Sequence, residues 1–116
     1  MRDLLLQFSG LVAMAAALAH GVLSETRMFP RVSIEPQRLR TLFRLVFQLP
    51  TVDWLCFGAL LMAAPSMASE AARHWIVVIV VVAFASSALA NALGTQGKHF
   101  GWIVLGAAAI LAAAGY

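Results

Sequence analysis

The chain has 116 residues, 62% of them hydrophobic and only 11% charged, with a formal net charge of +3. Soluble domains carry about 25% charged residues, so this composition, with a mean hydropathy of +0.88, excludes an ordinary water-soluble domain. The basic residues gather in one short connection between apolar stretches, which points to membrane topology rather than to nucleic acid.

Four apolar stretches occupy residues 4–23, 42–64, 75–93 and 100–114. Each is near the ~20 residues that cross ~30 Å of hydrocarbon. Backbone groups in lipid must be satisfied within the segment, so all four are expected to be helical. Connections of about 6 to 18 residues make sequential helices antiparallel neighbours. The expected fold is therefore all-α: a membrane-embedded antiparallel four-helix bundle forming a single domain over residues 1–116. No internal repeat or linker divides it.

The first stretch carries Ala17-Leu18-Ala19, the small-x-small form of a signal cleavage site. Met1-Arg2-Asp3 has no net side-chain charge and the apolar run exceeds a usual signal core, so this segment is expected to stay as a span. Ala13, Ala17 and Gly21 recur at four-residue spacing, which allows close helix approach. The segment closes on His20, Ser24, Glu25 and Arg27. Glu25 and Arg27 read as an interfacial charge pair or as helix-end decoration.

The connection that follows holds Pro30 and Pro36, which favour extended backbone. Arg27, Arg31, Arg38, Arg40 and Arg44 lie in it and at its margins, against Arg73 alone in the second connection and Lys98 in the third. By the positive-inside rule the first and third connections face the cytoplasm and both termini lie outside, in the periplasm if this is a bacterial inner membrane. Arg38, Arg40 and Arg44, with Glu25 and Arg27, are candidate contacts for anionic lipid headgroups or for an acidic partner.

The second stretch contains Pro50, which removes a donor and frees a carbonyl near Val46. Thr51 is placed to satisfy the loosened backbone. Gln48 and Arg44 share one helix face. Asp53 lies near the middle of this stretch, where a carboxylate costs at least ~2.5–3.5 kcal/mol. It is expected to be protonated, partnered or turned to a polar cavity, with Asn91, Ser86, Ser87, Gln7 and Ser9 as candidate partners. Asp53, Gln48 and Asn91 are thus the candidate intramembrane polar site. Cys56, the single cysteine, allows no intramolecular disulfide and reads as a small apolar core residue.

Trp75 opens the third stretch, and Trp75 and Tyr116 fall at interface depths. Trp54 is too deep for that role. Ala83, Ser87 and Asn91 repeat the small-residue spacing, as do Ala108 and Ala112 in the fourth. Lys98 and His99 precede the fourth stretch on the same side as His20. His20 and His99 are a candidate pair for a haem, a metal or a quinone headgroup; no set of ligands for a metal site stands out in the sequence, and the cofactor stays open.

Three groups of residues carry a resemblance: His20-Gly21-Val22-Leu23-Ser24-Glu25-Thr26-Arg27, Arg44-Leu45-Val46-Phe47-Gln48-Leu49 and Gly97-Lys98-His99-Phe100-Gly101-Trp102. Their layout resembles small bacterial four-helix integral membrane proteins of uncharacterised function, which have Trp-His in place of Phe47-Gln48. The chain is also similar in length and span number to small multidrug resistance transporters. Those rely on a glutamate within the first helix; here that span has no acid between Asp3 and Glu25, and Asp53 would have to serve.

No G-x-S-x-G, H-E-x-x-H or phosphate loop is present, and the chain is not expected to be an enzyme. Three functions remain: a non-catalytic accessory or stabilising subunit packing against a larger membrane complex; an oligomeric small-molecule or ion transporter with Asp53 as coupling carboxylate; or haem or quinone binding through His20 and His99. Other membrane subunits or self-association are the expected partners.

Overall fold

The computed structural model describes residues 1–116 and is all-helical. Four α-helices follow one another: α1 (Arg2–Leu23), α2 (Gln37–Ala63), α3 (Glu70–Gly94) and α4 (Gly101–Ala114). α1 runs on through a π turn at Ser24–Met28 and a 3-10 turn at Phe29–Arg31. Ser24 and Thr26 donate back to the carbonyls of Gly21 and Val22, at 2.9 and 2.7 Å, using the hydroxyl back-bonding that loosens a helix end.

α2 and α3 both start earlier than their apolar stretches. The polar turn Gln37–Arg40 continues the helix directly behind Pro36. Ser69 caps α3 by accepting from the Ala72 N–H at 3.2 Å, with Glu70 in the first turn, which favours an N-terminus. α3 stops at two left-handed residues, Gln96 at φ 52° and Gly97 at φ 71°. The Gly97 N–H reaches back to the Ala92 carbonyl at 2.8 Å, closing the helix in the glycine-terminated manner.

Three helices are long and apolar enough to cross a membrane; α4, with 14 residues, is shorter. At 1.5 Å per residue it covers about 21 Å; it coincides with the fourth apolar stretch, 100–114, the shortest of the four. The molecule measures 50 × 25 × 19 Å.

Small residues set the packing. Gly10 of α1 lies against Gly58 of α2 so closely that a Cβ on Gly10 would stand 2.6 Å from the Gly58 carbonyl oxygen. Further along, Gly21 meets Thr51 and Gln48. On the other side of α1, Ser9 donates to the Ala108 carbonyl of α4 at 2.7 Å, fully buried. Leu6, Ala13 and Ala17 of α1 join Trp54 and Leu61, Val80 and Phe84, and Leu105, Ala108 and Ala112 in one core. α1 packs extensively on α2 and α4, and α4 on α3, whereas α2 and α3 meet sparingly. Phe57 edge-on to Phe84 at 6.2 Å is one of their few contacts. α1 is therefore the hub, and the sequence neighbours α2 and α3 are not a close pair.

Both termini share one end of the molecule with the α2–α3 connection. There Arg73 pairs with Asp3, and His74 shares a hydrogen bond with Tyr116. The connections 24–36 and 95–100 lie at the other end.

Candidate functional site

At that other end, α1 and α2 are joined by a run of polar contacts. The missing side chain at Gly21 lets α2 come close, and the i, i+4, i+7 residues Arg44, Gln48 and Thr51 form one helix face toward α1. Thr51 Oγ1 donates to Gln48 Oε1 at 3.0 Å. Gln48 Nε2 in turn donates to Ser24 Oγ at 2.9 Å and to Glu25 Oε1 at 3.1 Å. Arg44 closes the run with an ion pair to Glu25, its Nε at 3.1 Å from Oε2. Arg40 donates to the Phe29 carbonyl at 3.0 Å.

These contacts revise several assignments. Glu25 pairs with Arg44 across helices and not with its near neighbour Arg27. Arg40 and Arg44 are engaged within the chain, leaving Arg38 and Arg27 as the residues of that group with no recorded partner. Thr51 serves Gln48 rather than the backbone freed by Pro50.

Asp53, Gln48 and Asn91 are not brought together. Gln48 and Asp53 are five residues apart, about 140° around the helix, so the face that gives Gln48 to α1 turns Asp53 outward. Asp53 is exposed and none of its proposed partners reaches it. Ser9 bonds Ala108, Ser86 bonds its own helix at Val82, and Ser87 accepts from Trp54 Nε1 at 3.4 Å. Cys56, three residues on, is likewise exposed rather than a core residue.

His20 and His99 line one cavity of about 510 Å³, together with Arg27, Phe47, Trp54, Asn91, Thr95 and Phe100. His20 Nε2 lies 2.9 Å from the Phe47 carbonyl. A carbonyl only accepts, so Nε2 carries the proton and Nδ1 of the neutral ring is an acceptor. The ring stacks on Phe47 at 4.8 Å and meets Trp54 edge-on at 5.0 Å. His99 is arranged the other way: its Nδ1 accepts the Gly101 N–H at 3.1 Å, which leaves Nε2–H as a free donor. Asn91 Oδ1 is buried without any hydrogen-bond partner, an exception to the rule that buried polar atoms are satisfied.

No group of three or more His, Cys, Asp or Glu side chains is placed to hold a metal ion. His99 keeps its free ring nitrogen protonated, so it offers a hydrogen-bond donor rather than a metal ligand, and His20 alone offers an unprotonated ring nitrogen. Sequence reasoning missed Phe47, Trp54 and Phe100 as cavity walls. The seven-residue spacing of Phe47 and Trp54, two turns on one face opposite His20, was the available signal. No protein-family model matches the chain, and no curated protein or solved structure gives a significant match.

Proposed function

We propose that this is an integral membrane protein, an antiparallel four-helix unit in a bacterial inner membrane, acting as a non-catalytic subunit that packs against a larger membrane assembly. The connections 24–36 and 95–100 are cytoplasmic and both termini are periplasmic. The arginine-rich first connection supports this orientation.

Asp53 carries the subunit reading. It is exposed on the face of α2 turned away from α1, among Leu45, Leu49 and Val52, which are 64%, 58% and 55% exposed. Arg44 is nine residues away, about 13.5 Å along the helix, so Asp53 stands well inside the span. A carboxyl group facing hydrocarbon costs at least ~2.5–3.5 kcal/mol, and such groups face protein or water instead. A partner helix bearing a hydrogen-bond donor removes that cost. The sparse contact between α2 and α3 leaves this face open to one. Asp53 lies apart from the cavity that holds His20 and His99, so a coupling role in transport would need a site formed between copies.

Native mass spectrometry of the chain, extracted gently from its own membrane, tests the proposal. The expected spectrum contains larger subunits that are lost in Asp53→Leu and kept in Asp53→Asn. A bare chain or a homo-oligomer alone would overturn it.

A further inference from the structure

We infer that the cavity between the two helix pairs binds a quinone or quinol: a flat, lipid-soluble ring bearing oxygen substituents. The inference is independent of the docking face on α2, because Asp53 does not line the cavity. Its volume of about 510 Å³ falls in the range of small-molecule sites, roughly 300–1,000 Å³. Such sites combine apolar and aromatic walls with a few convergent polar groups.

The walls here include the Phe47 and Trp54 rings, which already bracket the His20 imidazole. The polar groups are of two kinds. His99 Nε2–H and the Arg27 guanidinium are donors without a partner inside the chain; His20 Nδ1 and Asn91 Oδ1 are acceptors without one. A metal ion would leave the donors idle, and an anionic headgroup would leave the acceptors idle. A ring with oxygen at opposite positions serves both kinds. A carbonyl oxygen accepts from His99 or Arg27, and in the reduced form a hydroxyl donates to His20 or Asn91. Both histidines carry their proton on Nε2, but they present opposite free atoms: the Phe47 carbonyl engages Nε2–H of His20 and leaves an acceptor, whereas the Gly101 N–H engages Nδ1 of His99 and leaves a donor.

The test titrates a short-chain benzoquinone into the full chain in detergent micelles and reads tryptophan emission, which quinones quench on contact. The expected result is saturable quenching with one quinone per chain, and a single quinone adduct in the native mass spectrum of the wild-type protein. Trp54→Phe removes most of the saturable quenching. His99→Ala weakens binding roughly tenfold, the scale of one lost hydrogen bond. Ala16→Leu, which fills the cavity from α1 one helical turn before His20, weakens binding at least as much. Asp53→Asn leaves binding unchanged, which separates this site from the subunit interface. Quenching that only follows quinone partitioning into micelles, with no adduct on the wild-type chain, overturns the inference. So does displacement of the quinone by phosphatidylglycerol at equal concentration, which would assign the cavity to an anionic lipid.

Discussion

Gly58 shows how much one absent side chain contributes here. A Cβ at this position would stand 2.5 Å from Met14 Cγ and 2.8 Å from the Gly10 carbonyl oxygen. The methionine can move but the carbonyl belongs to α1 itself, so Gly58→Ala must push the two helices apart. The expected loss is about 1–3 kcal/mol, the usual cost of overpacking, read as a lower thermal midpoint in detergent. Gly106 is the control. Nothing lies within 4 Å of a Cβ there, and alanine is favoured over glycine inside a helix by up to about 1 kcal/mol. Gly106→Ala is therefore expected to leave the midpoint unchanged or raise it. Polar residues divide on the same principle. Ser9→Ala removes a buried bond to the Ala108 carbonyl, but interhelical hydrogen bonds in membrane proteins average only ~0.6 kcal/mol, less than the Gly58 effect. The Arg44–Glu25 pair, with side chains 50% and 33% exposed, is screened by solvent and contributes less than the buried contacts.

At the scale of elements, the turn between α3 and α4 connects fold to site. It depends on left-handed backbone at Gln96 and Gly97, and it delivers His99 and Gly101 to the cavity. Gly97→Ala places a Cβ in a conformation that costs roughly 1–2 kcal/mol. The expected outcome is a destabilisation of that size together with weaker quinone binding, whereas Ser69→Ala, at the far end of α3, costs about 1 kcal/mol and leaves binding intact. Parallel melts and titrations separate the two. Most of this level was legible in the sequence. Hydropathy marked every helix, because apolar runs of this length have few alternatives. It missed the polar turn Gln37–Arg40, which is helical although not apolar. The site was only partly legible. Periodicity gave His20, Ser24 and the shared face of Arg44 and Gln48. It did not show which neighbour α2 would choose. That choice follows from Gly10 and Gly58, where backbones touch, and from Gly21, which makes room for the Thr51 and Gln48 side chains, and it is what sends Gln48 inward and Asp53 outward.

For the whole molecule, the pairing of ends constrains topology. Asp3, Arg73 and Tyr116 lie at one end, and Arg27 and His99 at the other. Two ends built from alternate connections require that both termini face the same compartment if α1, α2 and α3 cross the bilayer and α4 returns. The arginines between residues 27 and 44 then select which compartment. These two arguments are independent, since one rests on side-chain contacts and the other on the insertion preference for cytoplasmic Lys and Arg. A variant lacking Cys56, with Ser33→Cys or Ser66→Cys introduced singly, tests them together. In intact cells an impermeant thiol reagent is expected to label position 66 and not position 33; in inverted vesicles the pattern should reverse. Labelling of 33 from outside would invert the orientation, placing the His20–His99 cavity and its arginine at the periplasmic surface. Labelling of both positions from one side would break the link between contact pattern and topology, because a chain crossing between them cannot present both to the same compartment.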